Sequence, residues 1–541
     1  SPYVCLAASS RIPTSKGESV FESVSVVPYP WTSTGVGNSL PGSASFLDDE
    51  FTITSAGNGI TGSTDGGEFV CHSLDGDGSI TAHVISIEGS STAQAGVMFR
   101  QDFSVGSRNV FLGSSNSASV FQHRPDPSQP TIDGPQSAPG VPIWVRIVRT
   151  GDSYSGFTST DGITWSFVHS VTVAMGITQQ ACIATSSTDV NSKSVSVFQS
   201  VSALPKPWTS TDIGYPSPGF SSYDEGQFEV SAAGAGIFGL RDSGHFVCVP
   251  LIGDGSISSR VISLTNGNAM ASAGVMFRQS FNEDSAKVFM AIVNNSTASF
   301  RYRESEGQIT LGDNIGSVAS PHWVRIIRTH DNYDGYVSED GISWNFVSQI
   351  EIDFGSSPLA CLASASGSTS DKMITRYEGT SVIPAPWLAY DLGNPLSGFT
   401  SFDGDQFILT SSGTGMAAGA DSGHFMCQTL IGDGSISARV VFLETVGAVH
   451  QAGVMFRETL QTNSRNTYMY IPSSGQSFNS YRTSPGSSTQ SVAVTASAPQ
   501  WVRLVKVGND YTSSISSDGV TWNDVRTVTI SMGDSPYVCL A

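Results

Sequence analysis

The heptapeptide SPYVCLA occupies residues 1–7 and returns unchanged as residues 535–541. An offset of 534 residues separates the copies, and altered forms of the same stretch, QACIA at 180–184 and LACLA at 359–363, divide it into three. A repeat of about 178 residues is therefore the first constraint, since a missed repeat miscalls the whole architecture. Units of that size can each bury a core. The expected division is residues 28–205, 206–384 and 385–541, with residues 1–27 as the closing strands of a preceding unit.

The cysteines keep the same rhythm, at positions 5, 71, 182, 248, 361, 427 and 539. Pairing within units predicts Cys71 with Cys182, Cys248 with Cys361 and Cys427 with Cys539; buried free thiols are the alternative, because cysteine packs well as a small core residue. Closing a loop of this length contributes about 4–5 kcal/mol in the chain-entropy account. Persistent disulfides imply an oxidising, extracellular location.

Within a unit the chain reads as short strands and tight turns. The punctuation VPYPW (27–31) returns as LPKPW (204–208) and IPAPW (383–387), where two prolines stiffen the joint and forbid helix. QFEV (227–230) and QFIL (406–409) precede a cysteine-bearing strand, GEFVCHSL (67–74), GHFVCVPL (244–251) or GHFMCQTL (423–430). The GDGS turns at 76–79, 253–256 and 432–435 are hairpin signals, since Asp-Gly accepts positive φ. AGVMFR (95–100, 273–278, 452–457), a WVR strand (144–149, 323–328, 501–506) and an SxDGxxW hairpin around Asp161, Asp340 and Asp518 follow. No stretch holds a helical period over three turns, so the chain is predicted to be all-β. A net charge of −20 repels phosphate backbones and argues against nucleic acid. No apolar run of about 18 residues and no charged-then-apolar leader occurs, so membrane insertion is not expected and any export signal is expected to lie outside the chain.

This order of motifs, from the PW punctuation through HFV, GDGSI, AGVMFR and WVR to SxDGxxW, resembles the regulation-of-enolase-type, concanavalin A-like domains of secreted bacterial surface proteins. The resemblance implies tandem jelly-roll sandwiches. It implies no catalytic residues; such domains accompany carbohydrate-active ones, and the paired cysteines depart from their general pattern.

Candidate sites follow from alternation along strands. Arg100 and Arg146, with His123 nearby, would flank a groove if their strands were neighbours; Arg278, Arg325 and Tyr302, then Arg457, Arg503 and Tyr481, repeat the set. Planar donors beside an aromatic suit glycans or an acidic partner, and solvated arginines paired with local acids are the plainer reading. Asp65, Asp242 and Asp421 are weak calcium candidates against loop capping; no other cofactor is implied. The SxDGxxW stretch resembles the structural Asp-box turn of sialidases. EID at 351–353 mimics half of a glucanase motif, but Gly355 stands where the second glutamate is required.

The expectation is thus a non-enzymatic, adhesive component of an extracellular filament at the cell surface. The alternatives are a multivalent carbohydrate-binding protein, in which linked weak sites gain avidity, and an accessory region of a secreted carbohydrate-active enzyme. The expected partner is a second copy. VFQSVSA (197–203) and RYEGTSV (376–382) close the first two units, the third has no such strand after residue 388, and VFESVSV (20–26) is the matching piece at the other end. In the filament reading the residues before Pro28 leave the first unit and lie on the sandwich before it, Cys5 taking the place of Cys539 one block earlier.

Overall fold

A computed structural model of the chain describes residues 5–7, 19–37, 40–115, 118–137, 140–393, 396–404, 406–417, 419–443, 450–474 and 476–541. All regular structure among these is β-strand. Alternation produces it: along Ile143–Thr150, Ile143, Val145 and Ile147 are buried while Trp144, Arg146 and Val148 are half-buried. The GDGS turns place Gly76, Gly253 and Gly432 at φ 69°, 73° and 78°, which side chains resist.

The first sandwich has a seven-stranded sheet in the order Thr32–Val36, Gly67–Asp75, Thr178–Ser186, Gln94–Arg100, Asn109–Ser114, Ser119–Arg124, Ile132–Ser137. Its facing sheet runs Ser166–Thr172, Ser153–Ser159, Ile143–Thr150, Gly78–Glu88, Ser194–Pro205, Glu50–Ser55, Ser43–Leu47. Val97, Phe99, Leu112 and Phe121 of one sheet meet Ile80, Val84, Val145 and Ile147 of the other in one core. This crossed order of antiparallel strands is a concanavalin A-like jelly roll. A second pair of sheets encloses the core around Phe277, Val288, Phe300 and Ile326, and a third that around Phe456, Met469, Val502 and Leu504.

The sandwiches share a sheet. The first half of Ser194–Pro205 pairs antiparallel with Glu50–Ser55, and its end pairs in parallel with the next sandwich, Ser202 with Ser221 and Ala203 with Ser222. Ser368–Pro384 does the same, pairing Ser381 with Thr400 and Val382 with Ser401. Each joint is sealed by a phenylalanine: Phe220 packs against Phe46, Phe51 and Trp31 of the first core, and Phe399 against Tyr223, Phe228 and Trp208 of the second.

The N-terminal segment departs from the closing strands expected of residues 1–27. Residues 1–4 and 8–18 lie outside the described residues, and residues 5–7 form no strand. Val20, Phe21 and Val24 are 85, 49 and 41 % exposed, and the segment touches down where Val26 bridges Ser45 of the first sandwich in parallel. It therefore lies partly on the first sandwich rather than wholly on a preceding one.

Candidate functional site

The predicted groove is not assembled. Ala95, Val97 and Phe99 face the core, so Arg100 turns to the outer face of the seven-stranded sheet. Ile143, Val145 and Ile147 face the same core from the opposite sheet, so Arg146 emerges on the other side of the sandwich. His123 has the parity of core Phe121 and points between the sheets. The sets Arg278, Arg325, Tyr302 and Arg457, Arg503, Tyr481 are separated in the same way; Tyr302 packs against the second core, and Tyr481 lies in the third, donating to Gln490 Oε1 at 2.6 Å.

On the outer face of the seven-stranded sheet the Cys71–Cys182 bridge lies between directly opposed strand residues, among Phe69, Met98 and Phe111, with Ile60 covering them. Cys248–Cys361 and Cys427–Cys539 are formed likewise, and Cys5 is free. Arg100 donates to the carbonyls of Asp102 and Ser104 at 2.6 and 2.8 Å, sits 4.7 Å over Phe69 and lies 3.6 Å from Asp65. Arg124 forks onto both Asp65 oxygens at 2.9 and 2.7 Å. Asp242 is held by Arg278, Arg303 and Lys287, and Asp421 by Arg457, Arg482 and Asn466. These three aspartates, the calcium candidates, are therefore the fully buried centres of arginine clusters. Their oxygens are spent on N–H donors, and the surrounding positive charge opposes a cation. Arg124, Arg303 and Arg482 escaped the sequence reading, although one arginine recurs at the same place in QHR, RYR and SYR.

The opposite outer face carries a ledge. Arg146 lies over the Trp165 ring, its Cζ 3.8 Å from the centroid, and donates to Thr81 Oγ1 at 2.9 Å, while Trp144 stacks on His83 with ring centres 4.7 Å apart. Burial lowers the Arg146 pKa to about 10 and that of His83 to about 4. Arg325 over Trp344 at 3.7 Å and Arg503 over Trp522 at 4.0 Å repeat the ledge. The copies differ in access. Arg325 is 3 % exposed, shut in beside Tyr390 of the third sandwich, whereas Arg146 and Arg503 are half-buried. The Nε atoms of Arg325 and Arg503 are both buried and have no hydrogen-bond partner among the described residues, so this does not separate the open ledge from the closed one. The tryptophans are placed by the Asp-Gly hairpin: Asp161 Oδ1 accepts the N–H groups of Thr164 and Ile163 at 2.7 and 2.8 Å, which hold its pKa down to about 2.

Two hydrogen-bonded chains at the joints have the residue types of a hydrolytic triad. Ser221 Oγ lies 2.7 Å from His245 Nε2, whose Nδ1 lies 2.7 Å from Asp212 Oδ1, and Thr400, His424 and Asp391 repeat it. Ser221 and Thr400 are fully buried and a Cβ at Gly219 would meet the His245 ring at 2.3 Å, so no substrate reaches the hydroxyls. These are struts of the joints. In EID, Ile352 is buried while Glu351 and Asp353 are exposed, and Asp353 accepts the Gly355 N–H at 2.7 Å as a turn.

No family profile matches the chain, and no curated protein does. Solved structures do. A functionally unknown protein from Saccharomyces cerevisiae is 16 % identical, with 32 % of this chain covering 96 % of that one at a TM-score of 0.27. The catalytic domain of an endo-1,3-β-glucanase (laminarinase) from Thermotoga petrophila is 10 % identical (33 % and 91 % covered, TM-score 0.22). An immunostimulatory antigen and pseudo β-1,3-glucanase of Mycobacterium tuberculosis is 13 % identical (34 % and 93 % covered, TM-score 0.23). At such identities the likeness shows the jelly-roll fold alone. The expectation of a non-enzymatic filament component is corrected: proteins named for carbohydrate chemistry stand among the structural neighbours, so neither the adhesive-fibre reading nor the classification as a non-enzyme is kept.

Proposed function

We propose that the chain is a multivalent, lectin-like carbohydrate-binding protein whose sites are the ledges Trp144–Arg146–Trp165 and Trp501–Arg503–Trp522. The observation that carries this reading is the guanidinium laid on an indole beside a second tryptophan, half-buried and open to solvent in the first and third sandwiches where the second is shut in. Apolar ring faces accept the C–H face of a sugar, and fixed planar donors take its hydroxyls or carboxylates. Two accessible ledges on one chain gain avidity for a polymeric glycan. The reading includes the domain division at 28–205, 206–384 and 385–541, kinship with regulation-of-enolase-type domains, and an extracellular location, which the three disulfides favour. Among the described residues no helix is long and apolar enough to cross a membrane. A glycan array followed by titration calorimetry tests the proposal. Arg503→Ala and Trp522→Ala should each weaken the best-bound glycan at least tenfold at the third sandwich, and Arg100→Ala is not the informative variant because it breaks a buried cluster. Absence of glycan binding, or binding indifferent to the ledge variants, would overturn it.

A further inference from the structure

The two joints treat the ledges behind them differently. The second ledge has every part of the first: Trp323, Arg325 and Trp344 stand where Trp144, Arg146 and Trp165 do, with the Arg325 Cζ 3.7 Å from the Trp344 ring centre. Yet Arg325 is 3 % exposed where Arg146 is half-buried. The cover comes from the third sandwich. Tyr390, on Leu388–Leu392 opposite Phe425 of Ala420–Thr429, is 9 % exposed and lies beside the Arg325 guanidinium. Ile342, in the Asp-Gly hairpin that places Trp344, packs against the cluster that contains Tyr390. A cavity of only about 10 Å³ remains among Trp323, Gly341, Tyr390, Asp391 and His424, room for one water at most and none for a sugar ring.

At the first joint the same positions carry other residues. Thr211 lies on Thr209–Ile213 opposite Phe246 of Arg241–Pro250, in the register that Tyr390 has with Phe425. A threonine has no ring to lay over Arg146, and Ile163, the counterpart of Ile342, is 46 % exposed. The first tryptophan is held differently too. Gly379 lets Trp323 lie against the backbone, since a Cβ there would meet the ring at 2.1 Å. Ser200 stands at that place in the first sandwich and donates to Asp212 Oδ2 at 3.3 Å, so Trp144 cannot take the same position; it stacks on His83 at an interplanar angle of 5°. Trp323 instead meets Trp344 edge-on at 74°. One ledge is thus folded into its joint and the other is turned out of it.

We propose that position 390, with its counterpart 211, decides which ledges admit a ligand: Tyr390 is a plug over a second ledge that is otherwise a complete site, and Thr211 leaves the first one open. That the ligand is a glycan rests on the proposed function; the plug is tested without one. Phenylglyoxal, an arginine-directed probe, applied to the native 541-residue chain and mapped by peptide mass, should label Arg325 roughly tenfold more slowly than Arg146. Tyr390→Thr should remove that difference while Arg457, in the buried Asp421 cluster, stays unlabelled. Tyr390→Phe, which keeps the ring, should leave Arg325 protected, and Thr211→Tyr should slow Arg146 by roughly the same factor. Arg325 that stays protected in Tyr390→Thr, or is labelled only together with Arg457, overturns the proposal, as does an Arg146 equally reactive in Thr211→Tyr. Calorimetry with the trisaccharide ranked first by the glycan array should then count one site more per chain in Tyr390→Thr and one fewer in Thr211→Tyr. A chain that binds no trisaccharide would defeat the glycan reading while the arginine map still decides the plug; an unmoved site count beside an opened Arg325 would overturn the claim that the second ledge is a complete site.

Discussion

Lys287 is the residue in which the three sandwiches differ most consequentially. Asn109 and Asn466 each donate to their buried aspartate, at 3.0 and 2.9 Å, beside two arginines. The second sandwich has Lys287 there, bonded to Asp242 and 3.2 Å from the Ile237 carbonyl, so three cations share one carboxylate in a fully buried site. Burial pushes the Lys287 pKa down to about 7 against the pull of Asp242. Burial also works to raise Asp242, but the charges of Lys287, Arg278 and Arg303 outweigh it and hold the carboxyl low. Lys287→Asn should therefore stabilise the second sandwich, by about 1–3 kcal/mol, because an uncompensated buried cation is removed and an amide donor kept. The sign of the pH dependence follows. The folded lysine releases its proton near 7 and the unfolded one near 10.5, so the unfolded chain binds more protons between these values and the wild type gains stability as pH rises through the window. Thermal unfolding at pH 7 and pH 9 should show that gain in the wild type and its absence in Lys287→Asn; a less stable variant with the same slope would refute the account.

At the scale of elements, alternation told which side of its own strand each residue occupies. Ala95, Val97 and Phe99 face the core and Ile143, Val145 and Ile147 do so as well. What parity within a strand does not carry is which sheet the strand joins, and so Arg100 and Arg146, each correctly turned away from the core, came out on opposite faces of the sandwich. The cover over Arg100 was equally illegible, because Ile60 reaches the outer face from a loop with no period to read. The cysteine spacing was legible, since a pair of opposed strand positions recurs once per unit. The joints were half legible: the PW punctuation marked them, but nothing local announced that Phe220 and Phe399 serve the preceding core. Phe399→Ala should accordingly cost about 3–4 kcal/mol, the range for a buried ring lost from a core. The loss should fall on the coupling as much as on either sandwich, so that calorimetry resolves a cooperative transition into separate ones; a uniform downward shift of one transition would show that the ring serves its own sandwich alone.

For the whole molecule, the two joints decide whether the sandwiches unfold together. Phe220 seals the first core against Phe46, Phe51 and Trp31, and Phe399 seals the second. Each joint adds a parallel strand pair, Ser202 with Ser221 and Ser381 with Thr400, and those same hydroxyl residues end the buried chains of Ser221, His245 and Asp212 and of Thr400, His424 and Asp391. Backbone, ring and polar contacts thus meet at one place in each joint, where a half-satisfied buried network is costly. His424→Phe leaves Thr400 Oγ1 and Asp391 Oδ1 without their shared partner and should cost about 1–3 kcal/mol. Calorimetry of that variant should show the second and third sandwiches melting apart, whereas one transition lowered uniformly would mean that the hydrogen-bonded chain serves a single sandwich and not the joint.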